Sequence, residues 1–542
     1  SEMCIRDRNS IITTLSMNFS LWQISPVILF MIFIAPVAIV LFSLTGDYSE
    51  NWLHLYNYVL MGYIKNSIYL VLGVSFTVCL LGVGTAWIIT NYDFSFKNFF
   101  EWALILPLAV PPYILAYTFT GLFDTFGTAN NLIREIFDLS RDFTFFPKVR
   151  NVPGAIIVFS FTLYPYVYLV SRMAFINQSR SIIEAGRTLG LNKLEVFYKL
   201  AVPMIRPAII GGLMLVVMET ISDFGAVDHF AISTFTTGIF RTWYGMYDIE
   251  TAMQLASLLL LFAITLIIIE RYSRRNASYS NAMSLYKPLS HEKLRGFKNF
   301  LAFSACFIPI FIGFILPVVE LTYWALNYKL DFFNEKFIST AWNTFYLAII
   351  AAFFCSVLAV LINFSIRYKS NNYLKFMSSF LTVGYAVPGL ILAIGVMQML
   401  TFIDKSFVSN IPNIVFTGSI FGLVLAYIIK SYALSNSTID AGYQRINERI
   451  DDVARTLKTS GWSLLSQVHL PLLKTSFLTS MLLVVSEVIK ELPATLILRP
   501  FNFDTLAVYT YIYAAEERMY DAAAPSIAIV MVGLIPIIIL TR

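Results

Sequence analysis

Charged residues are scarce in this chain of 542 residues, and that scarcity decides the class of protein. Only 13% of the residues are charged and 58% are hydrophobic, whereas a water-soluble domain has about a quarter of its residues charged. A chain of this composition cannot cover itself with polar side chains. Its apolar residues occur in blocks of about 20, long enough as helices to cross a hydrocarbon core of roughly 30 Å. The composition therefore predicts an all-α integral membrane protein.

Residue types that build common reactive sites are also rare. The four cysteines show no CxxC spacing and the four histidines are scattered, so no tightly bound metal is predicted. No Gly-Lys dipeptide occurs anywhere, which excludes the GxxxxGKS or GxxxxGKT loop that binds ATP phosphates. The net charge of +5 is small for the length and gives no reason to expect a nucleic-acid partner. We therefore predict a protein that contacts membrane lipid and has no catalytic residues and no cofactor of its own.

Twelve apolar spans are expected to cross the membrane, six in each half of the chain. They lie near residues 22–44, 66–90, 100–122, 152–173, 206–228, 251–270, 299–326, 342–366, 376–402, 413–435, 475–498 and 519–541. The first residues, SEMCIRDR, resemble nothing that follows. We expect residues 1–16 to be a non-native or disordered prefix, with Met17 as the true start.

The distribution of basic residues predicts which segments face the cytoplasm. The linker at 271–298 carries seven Lys or Arg residues and a single acid, Glu292. The polar stretches at 174–205 and 436–474 are also basic, and with twelve crossings all three segments fall on the same side. Because basic loops remain in the cytoplasm, both polar stretches and both termini are expected there.

The second half of the chain repeats the first. A shift of 268 residues places Asp452 on Glu184 and Glu487 on Glu219, while AVPPYILA at 109–116 matches AVPGLILA at 386–393. Because each half has an even number of spans, the repeat is a parallel one, with a pathway expected between the halves. The predicted segments are a first repeat at 17–270 with its polar loop at 174–205, a linker at 271–298, and a second repeat at 299–542 with its polar loop at 436–474.

The two polar stretches occupy the same place in each half, between the fourth and fifth spans. EAGRTLGLNKLEVFYKLAVP at 184–203 has apolar residues spaced for two short helices, with Gly190 between them and Pro203 ending the second. DVARTLKTSGWSLLSQVHLP at 452–471 is its counterpart. A repeated cytoplasmic elbow that exposes an acid is typical of a surface that binds another protein.

This pattern resembles the EAA loop of permease subunits of binding-protein-dependent ABC importers, in which the loop is a coupling helix that contacts the ATPase subunit. The resemblance implies ATPase-coupling roles for Glu184, Ala185, Gly190, Pro203, Asp452, Ala454, Gly461 and Pro471. Two positions depart from the family pattern, since Gly186 replaces the second Ala and Lys458 replaces the Gly of the second copy. We expect the second elbow to bend differently, with Gly461 as the substitute for the missing glycine.

Acidic residues inside the fifth span of each half are candidates for the translocation pathway. Glu219 and Asp223 are four residues apart, as are Glu487 and Glu491, so each pair is expected on one helix face. An acid at the bilayer centre costs about 2.5–3.5 kcal/mol on insertion scales, so these side chains should face protein or a watery cavity. Structural pairing, for example of Glu487 with Lys490, and a cation-conducting surface are both open.

The stretches DFGAVDHFAISTFTTGIFRTWYGM (223–246) and KELPATLILRPFNFDTLAVYTY (490–511) resemble the ferric-iron branch of these permeases. The resemblance implies a type I ABC importer permease fold with two fused six-helix repeats in a bacterial inner membrane. It further implies two ATPase subunits, which supply ATP and Mg²⁺ on the cytoplasmic side, and a periplasmic binding protein that delivers ferric iron. Two alternatives remain: another cargo such as a polyamine, thiamine or a phosphonate, and an ion-coupled secondary transporter.

Overall fold

The computed structural model describes residues 21–178, 186, 188–274, 292–328, 334–369, 372–408 and 415–540. Most of this part of the chain, 82%, is helical, as the composition predicts. One short parallel pairing joins β1 (Tyr92–Asp93) to β2 (Glu292–Lys293). This pairing attaches the end of the linker between the two halves to the first half.

The described residues of the first half contain ten α-helices that can be given bounds. They are α1 (Leu21–Phe42), α2 (Glu50–Asn91), α3 (Lys97–Ala103), α4 (Pro112–Phe123), α5 (Thr128–Phe137), α6 (Val152–Asn177), α7 (Lys193–Ser222), α8 (Gly225–His229), α9 (Phe235–Met246) and α10 (Ile249–Arg274). The short α5 belongs to the long loop between the third and fourth predicted spans, for which the second half has no match in the repeat.

The second half follows a similar order. Its helices are α11 (Phe297–Asn327), α12 (Glu335–Tyr368), α13 (Asn372–Leu381), α14 (Gly389–Ile403), α15 (Ile420–Gln444), α16 (Arg449–Thr456), α17 (Trp462–Ile489), α18 (Pro493–Leu498), α19 (Leu506–Ala515) and α20 (Ala523–Leu540). Within the described residues, ten helices are long and apolar enough to cross a membrane, or eleven if the bent pair α3–α5 counts as one span.

The third predicted span of each half is broken, so the expectation of single helices at 100–122 and 376–402 is wrong. In the first half the chain bends by 89° at a break before Pro112, after a 3₁₀ turn at Leu106–Ala109. In the second half a 3₁₀ turn at Thr382–Ala386 separates α13 from α14. Pro111, Pro112 and Pro388 stand at these breaks, and proline both lacks an N–H and disfavours helical geometry in the residue before it.

Prolines elsewhere are accommodated without breaking the helix. A wide π turn ends two residues before Pro203 at Ala201, and another ends two residues before Pro471 at His469. The helix therefore continues through Pro203, and the prediction that this residue ends a short helix is wrong. A π turn absorbs the space that a proline ring needs in the preceding turn.

The first helix of each half packs against the other half. Helix α1 contacts α13 and α14. Helix α11 contacts α4, and the π turn of α11 at Phe311–Ile315 contacts α6. Glycines allow both contacts, because a Cβ at Gly395 would meet the Pro36 carbonyl oxygen at 2.5 Å and a Cβ at Gly121 would meet the Trp324 ring at 2.3 Å. Small residues are what permit such close helix contacts in membranes. The two halves are therefore joined by exchanged helices as well as by a shared surface.

Asp248 ties the α1–α2 connection to the start of α10. Its carboxylate accepts hydrogen bonds from the Ser49 hydroxyl at 2.6 Å, the Asn51 amide at 3.0 Å and the Thr251 hydroxyl at 2.7 Å. Partial burial acts to raise the pKa of Asp248, but these bonds and the Thr251 backbone N–H lower it to about 2.

Replacement of Asp248 by Ala should therefore lower the thermal stability of the purified protein at about pH 7. The carboxylate stabilises the folded state fully above its unfolded pKa of about 3.9, and this contribution is lost as the pH falls towards its folded pKa. Melting temperatures of wild type and Asp248→Ala should converge between about pH 5 and pH 2. The exposed Asp47→Ala variant is the control, and a difference that does not change with pH would contradict the role of the charge.

Candidate functional site

All four predicted pathway acids line one cavity between the two halves. The cavity has about 760 Å³ of empty space, part of it open to solvent, and its walls come from α4, α6, α7, α15 and the turns after α7 and α17. Its charged lining residues are Glu219, Asp223, Lys430, Glu487, Lys490 and Glu491. Because acids from both halves meet here, the cavity lies where the repeat predicts a pathway.

The two acids of the second half are paired with lysines. Lys430 Nζ donates to Glu491 Oε2 at 2.5 Å, and Lys490 Nζ lies 2.7 Å from Glu487 Oε1. Structural pairing, which the sequence leaves open, is therefore present in this half. The predicted partner of Glu487 is the one observed, while Lys430 comes from α15 and was not predicted.

The two acids of the first half are held by neutral donors. Glu219 Oε1 accepts a hydrogen bond from the Tyr385 hydroxyl of the other half at 3.0 Å. Asp223 Oδ1 accepts the backbone N–H groups of Ala226 at 2.9 Å and Val227 at 3.3 Å. Within the described residues, neither carboxylate has a lysine or arginine nitrogen within 4.0 Å. The second half thus pairs its acids with positive charges, whereas the first half binds its acids through uncharged hydrogen-bond donors.

The expectation that each acid pair shares one helix face is wrong in detail. Helix α7 ends at Ser222 and α17 ends at Ile489, so Asp223 and Glu491 lie in the turns that follow. In the first half this turn allows Asp223 to bond to the N-terminus of α8, which a continuous helix would forbid. The acids still converge, because both turns point into the same cavity.

The formal charge of the cavity favours a cation. Four carboxylates and two ammonium groups line it, which leaves a formal charge of −2. The excess lies with the first half, where Thr162 occupies the position that matches Lys430 under the 268-residue shift. Carboxylate and hydroxyl oxygens are the ligands that hard cations prefer. In the described part of the chain, no group of three or more His, Cys, Asp or Glu residues is placed to hold a metal ion.

The second predicted coupling element is a short helix, α16, that ends in a Schellman turn. The Thr459 N–H donates to the Ala454 carbonyl oxygen at 3.0 Å and the Lys458 N–H to that of Arg455 at 3.0 Å, the two bonds that define this motif. Ala454 is buried, whereas the Asp452 side chain is 74% exposed. The acid at the start of the repeat is thus available to a partner.

The first coupling element ends in a similar turn. The Leu191 N–H donates to the Gly186 carbonyl oxygen at 3.1 Å, and Gly190 has φ +84°. Lys458, its counterpart, has φ +61°. The second elbow therefore bends at Lys458 despite the missing glycine, and the prediction that Gly461 supplies the bend is wrong. Gly461, with φ +56°, is instead the N-cap residue immediately before α17.

The remaining predicted coupling residues divide into two groups. Glu184 and Ala185 lie outside the described residues. Pro203 and Pro471 lie near the cytoplasmic ends predicted for α7 and α17, where each follows a π turn. Each proline is therefore part of a continuous helix that extends from the elbow to the central cavity.

A buried ionic cluster that the sequence did not predict holds α16 in place. Arg367 Nε donates to Asp451 Oδ2 at 2.7 Å, and His469 Nε2 lies 3.1 Å from Asp451 Oδ1. Arg367 also donates to the carbonyl oxygens of Tyr443 and Ile446, both at 3.0 Å. The cluster attaches α16 to α12, α15 and α17. No sequence signal marks it, because the three residues are 84 and 18 positions apart along the chain.

Residues 79–276 match the family described as "Binding-protein-dependent transport system inner membrane component". Over these residues the chain is similar to the inner membrane components, or permeases, of such transport systems. Its similarity to curated relatives extends over the second half as well, since it is 25% identical to the Fe(3+)-transport system permease protein FbpB 2 of Haemophilus influenzae over 88% of this chain and 89% of that protein.

Other relatives of this permease fall into two length classes. It is 24% identical to the ferric transport system permease protein FbpB of Actinobacillus pleuropneumoniae over 80% of this chain and 64% of that protein. It is 26% identical to the molybdenum transport system permease protein ModB of Haemophilus influenzae over only 35% of this chain but 80% of that protein. This permease thus has the length of a fused, double permease, with multiple spans in the inner membrane.

Replacement of Lys458 by Gly should stabilise the second elbow. A non-glycine residue in the left-handed region costs roughly 1 kcal/mol, and Lys458→Gly removes this cost without changing the Schellman bonds. We expect a small rise in melting temperature. Gly190→Ala is the matched variant for the first elbow, and it should lower the melting temperature by a similar amount. A fall in the stability of Lys458→Gly would contradict this account.

Proposed function

We propose that this permease imports ferric iron, which a periplasmic binding protein delivers and which crosses the membrane through the cavity between the two halves. The observation that carries the proposal is the meeting of Glu219, Asp223, Glu487 and Glu491 in that cavity with a formal excess of two negative charges. Two curated relatives that are similar over 88% and 80% of this chain are named as Fe(3+) or ferric transport permeases, which supports the choice of cation.

Energy for import would come from two ATPase subunits that bind the cytoplasmic elbows and hold the ATP and Mg²⁺. One subunit would contact Glu184 and Ala185 beside Gly190, and the other would contact Asp452 beside the buried Ala454. Two elbows per chain and two fused repeats support the number of subunits. The basic loops support a cytoplasmic location for both elbows and both termini.

A movement of the second elbow would be transmitted to the cavity through helices α16 and α17. The Arg367–Asp451–His469 cluster attaches α16 to α17, and the end of α17 carries Glu487 and precedes Glu491. When the ATPases close, α17 and α7 would move together with their elbows and change the opening of the cavity. Such alternating access requires that each state be favoured by different contacts.

Several contacts between the halves are suited to such a change. Tyr385 of the second half donates to Glu219 of the first at 3.0 Å, and the Tyr511 hydroxyl donates to Asp228 Oδ2 at 2.9 Å. Each is a single hydrogen bond to a carboxylate, worth about 1.5–3 kcal/mol net. They can break and form again at a cost that ATP binding can supply.

Other cargoes remain candidates for the same architecture. A polyamine or thiamine would also be attracted by the acids, whereas a phosphonate would require Lys430 and Lys490 to leave their carboxylates. An ion-coupled secondary transporter would use the acids as proton or Na⁺ sites, but it would have no use for paired elbows.

Uptake of radiolabelled ferric iron tests the proposal directly. Cells that lack other iron transporters would express this permease together with the binding protein and the ATPase that are encoded beside it. We expect uptake that disappears when the ATPase cannot hydrolyse ATP. Uptake without an active ATPase would indicate a secondary transporter, and an assembled, ATP-hydrolysing complex that takes up no iron would assign it another cargo.

Reversal of charge at the first elbow should uncouple the permease from its ATPase. We expect Glu184→Lys to abolish uptake while insertion into the membrane is unaffected, because the family resemblance implies that this acid contacts the ATPase. Asp452→Lys should act similarly at the second elbow. Glu335→Lys, at the start of α12, places the same change on the face predicted to be external and is the control. Unchanged uptake in Glu184→Lys would exclude the coupling role.

Neutral variants of the cavity acids should separate cargo attraction from structural pairing. Glu219→Gln keeps the hydrogen bond from Tyr385, so we expect about a tenfold loss of uptake, equivalent to about 1.4 kcal/mol, with no loss of thermal stability. Glu487→Gln leaves Lys490 unpaired and should lower both uptake and stability.

The double variant Glu487→Gln, Lys490→Gln removes both charges of the pair and should restore stability. Binding-protein docking, measured on purified components, should be unchanged in all three variants. Normal uptake by Glu219→Gln would show that the acids of the first half do not act on the cargo.

A further inference from the structure

Two tyrosine hydroxyls beside the cavity have no hydrogen-bond partner among the described residues. Tyr113 and Tyr117 of α4 are only 4% and 2% exposed, and the hydroxyl oxygen of each is buried without a donor or acceptor in reach. A buried polar group left unsatisfied costs roughly 1–3 kcal/mol. Phenylalanine would fill the same space without this cost, so the hydroxyls need another explanation.

Tyr113 and Tyr117 extend one after the other from the cavity along α4, and we call these two side chains the step. Tyr113 lines the cavity together with Asp223 and Glu491. Tyr117 is one helical turn later on the same face, and the two ring centroids are 5.8 Å apart. The direction from Tyr113 to Tyr117 leads towards the end of α4 that continues into the predicted external loop.

Beyond Tyr117 lies a pair of side chains whose oxygens could bind a metal, Asp228 of the first half and Tyr511 of the second half. The Tyr117 ring lies 4.7 Å from that of His229, and helix α8, which carries Asp228 and His229, packs against both α4 and α19. Tyr511 and Asp228 are joined by their 2.9 Å hydrogen bond. A series of phenol and carboxylate oxygens therefore extends from Asp228 to Glu491.

We propose that Tyr113 and Tyr117 are transient ligands that pass a hard trivalent cation from the Asp228–Tyr511 pair to the central cavity. The proposal rests on the proposed function, because it concerns the cargo of the same pathway. It assigns a binding role to two hydroxyls that the acids of the cavity do not explain.

Tyrosine suits a transient site of this kind. When the site is empty the phenol is neutral, so its burial avoids the large cost of burying a charge. When the cation arrives, each phenol loses its proton as its oxygen binds the metal, and the proton passes to water or to the carboxylate of Asp223 or Glu491. Deprotonation of ligands makes metal binding weaker as the pH falls, so transfer along the step should slow in acid.

Removal of the hydroxyls tests the step without disturbing the packing. We expect Tyr113→Phe and Tyr117→Phe each to lower ferric uptake several-fold in proteoliposomes that contain the permease, its ATPase and its binding protein, and the double variant to lower it further. Neither substitution removes a hydrogen bond, so melting temperatures should not fall. Tyr164→Phe is the matched control, because the Tyr164 hydroxyl is also buried and unpartnered but the residue does not line the cavity.

A spectroscopic measurement gives a second readout. Ferric nitrilotriacetate added to the assembled complex should produce the visible absorption band of a ferric phenolate, and this band should be absent from the double variant and unchanged in Tyr164→Phe. A band that persists in the double variant, or normal uptake by it, would overturn the proposal.

The two proposals fail in different ways. If the wild-type complex hydrolyses ATP but takes up no iron, the proposed cargo is wrong. If the wild type imports iron and the double variant imports it equally well, the cargo stands and only the role of the tyrosines is wrong.

Discussion

Carboxylates within a membrane must be enclosed by protein, and this constraint accounts for the arrangement around the central cavity. An acid facing lipid would cost several kcal/mol, so Glu219 and Glu487 can exist only where the two halves cover each other. The second half neutralises its acids with Lys430 and Lys490. The first half uses a tyrosine hydroxyl and backbone N–H groups instead. This difference gives a pseudo-symmetric fold an asymmetric interior with a formal excess of negative charge.

The breaks in the helices serve the same cavity. Prolines at 111, 112 and 388 turn the third span of each half, and the first of these turns places Tyr113 on the cavity wall. The ends of α7 and α17 release Asp223 and Glu491 from helical geometry. Irregular backbone is tolerated at membrane depth where it is buried in protein or lines a cavity, which is where all of these breaks lie.

Hydropathy and repetition predict much of this molecule, because each depends on residues close together in sequence. The positions of the helices follow from blocks of apolar residues, and the four cavity acids stand out because charge is so rare among them. The bend at Lys458 could not be predicted from residue type, since a Schellman turn formed where glycine was expected. The Arg367–Asp451–His469 cluster and the unpartnered Tyr113 and Tyr117 hydroxyls depend on packing between distant helices, for which a single sequence carries no signal.

The exchange of first helices between the halves has a consequence for biosynthesis. Helix α1 ends at Phe42, but α14, against which it packs, begins only at Gly389, so 346 residues lie between them. At about 5–20 residues per second, the ribosome needs on the order of 20–70 s to supply that partner. During this time the surface of α1 that packs against α13 and α14 remains exposed to lipid, although α10 of the first half already contacts α1. Assembly of the native protein is therefore completed only after most of the second half has entered the membrane, and neither half is a finished unit by itself.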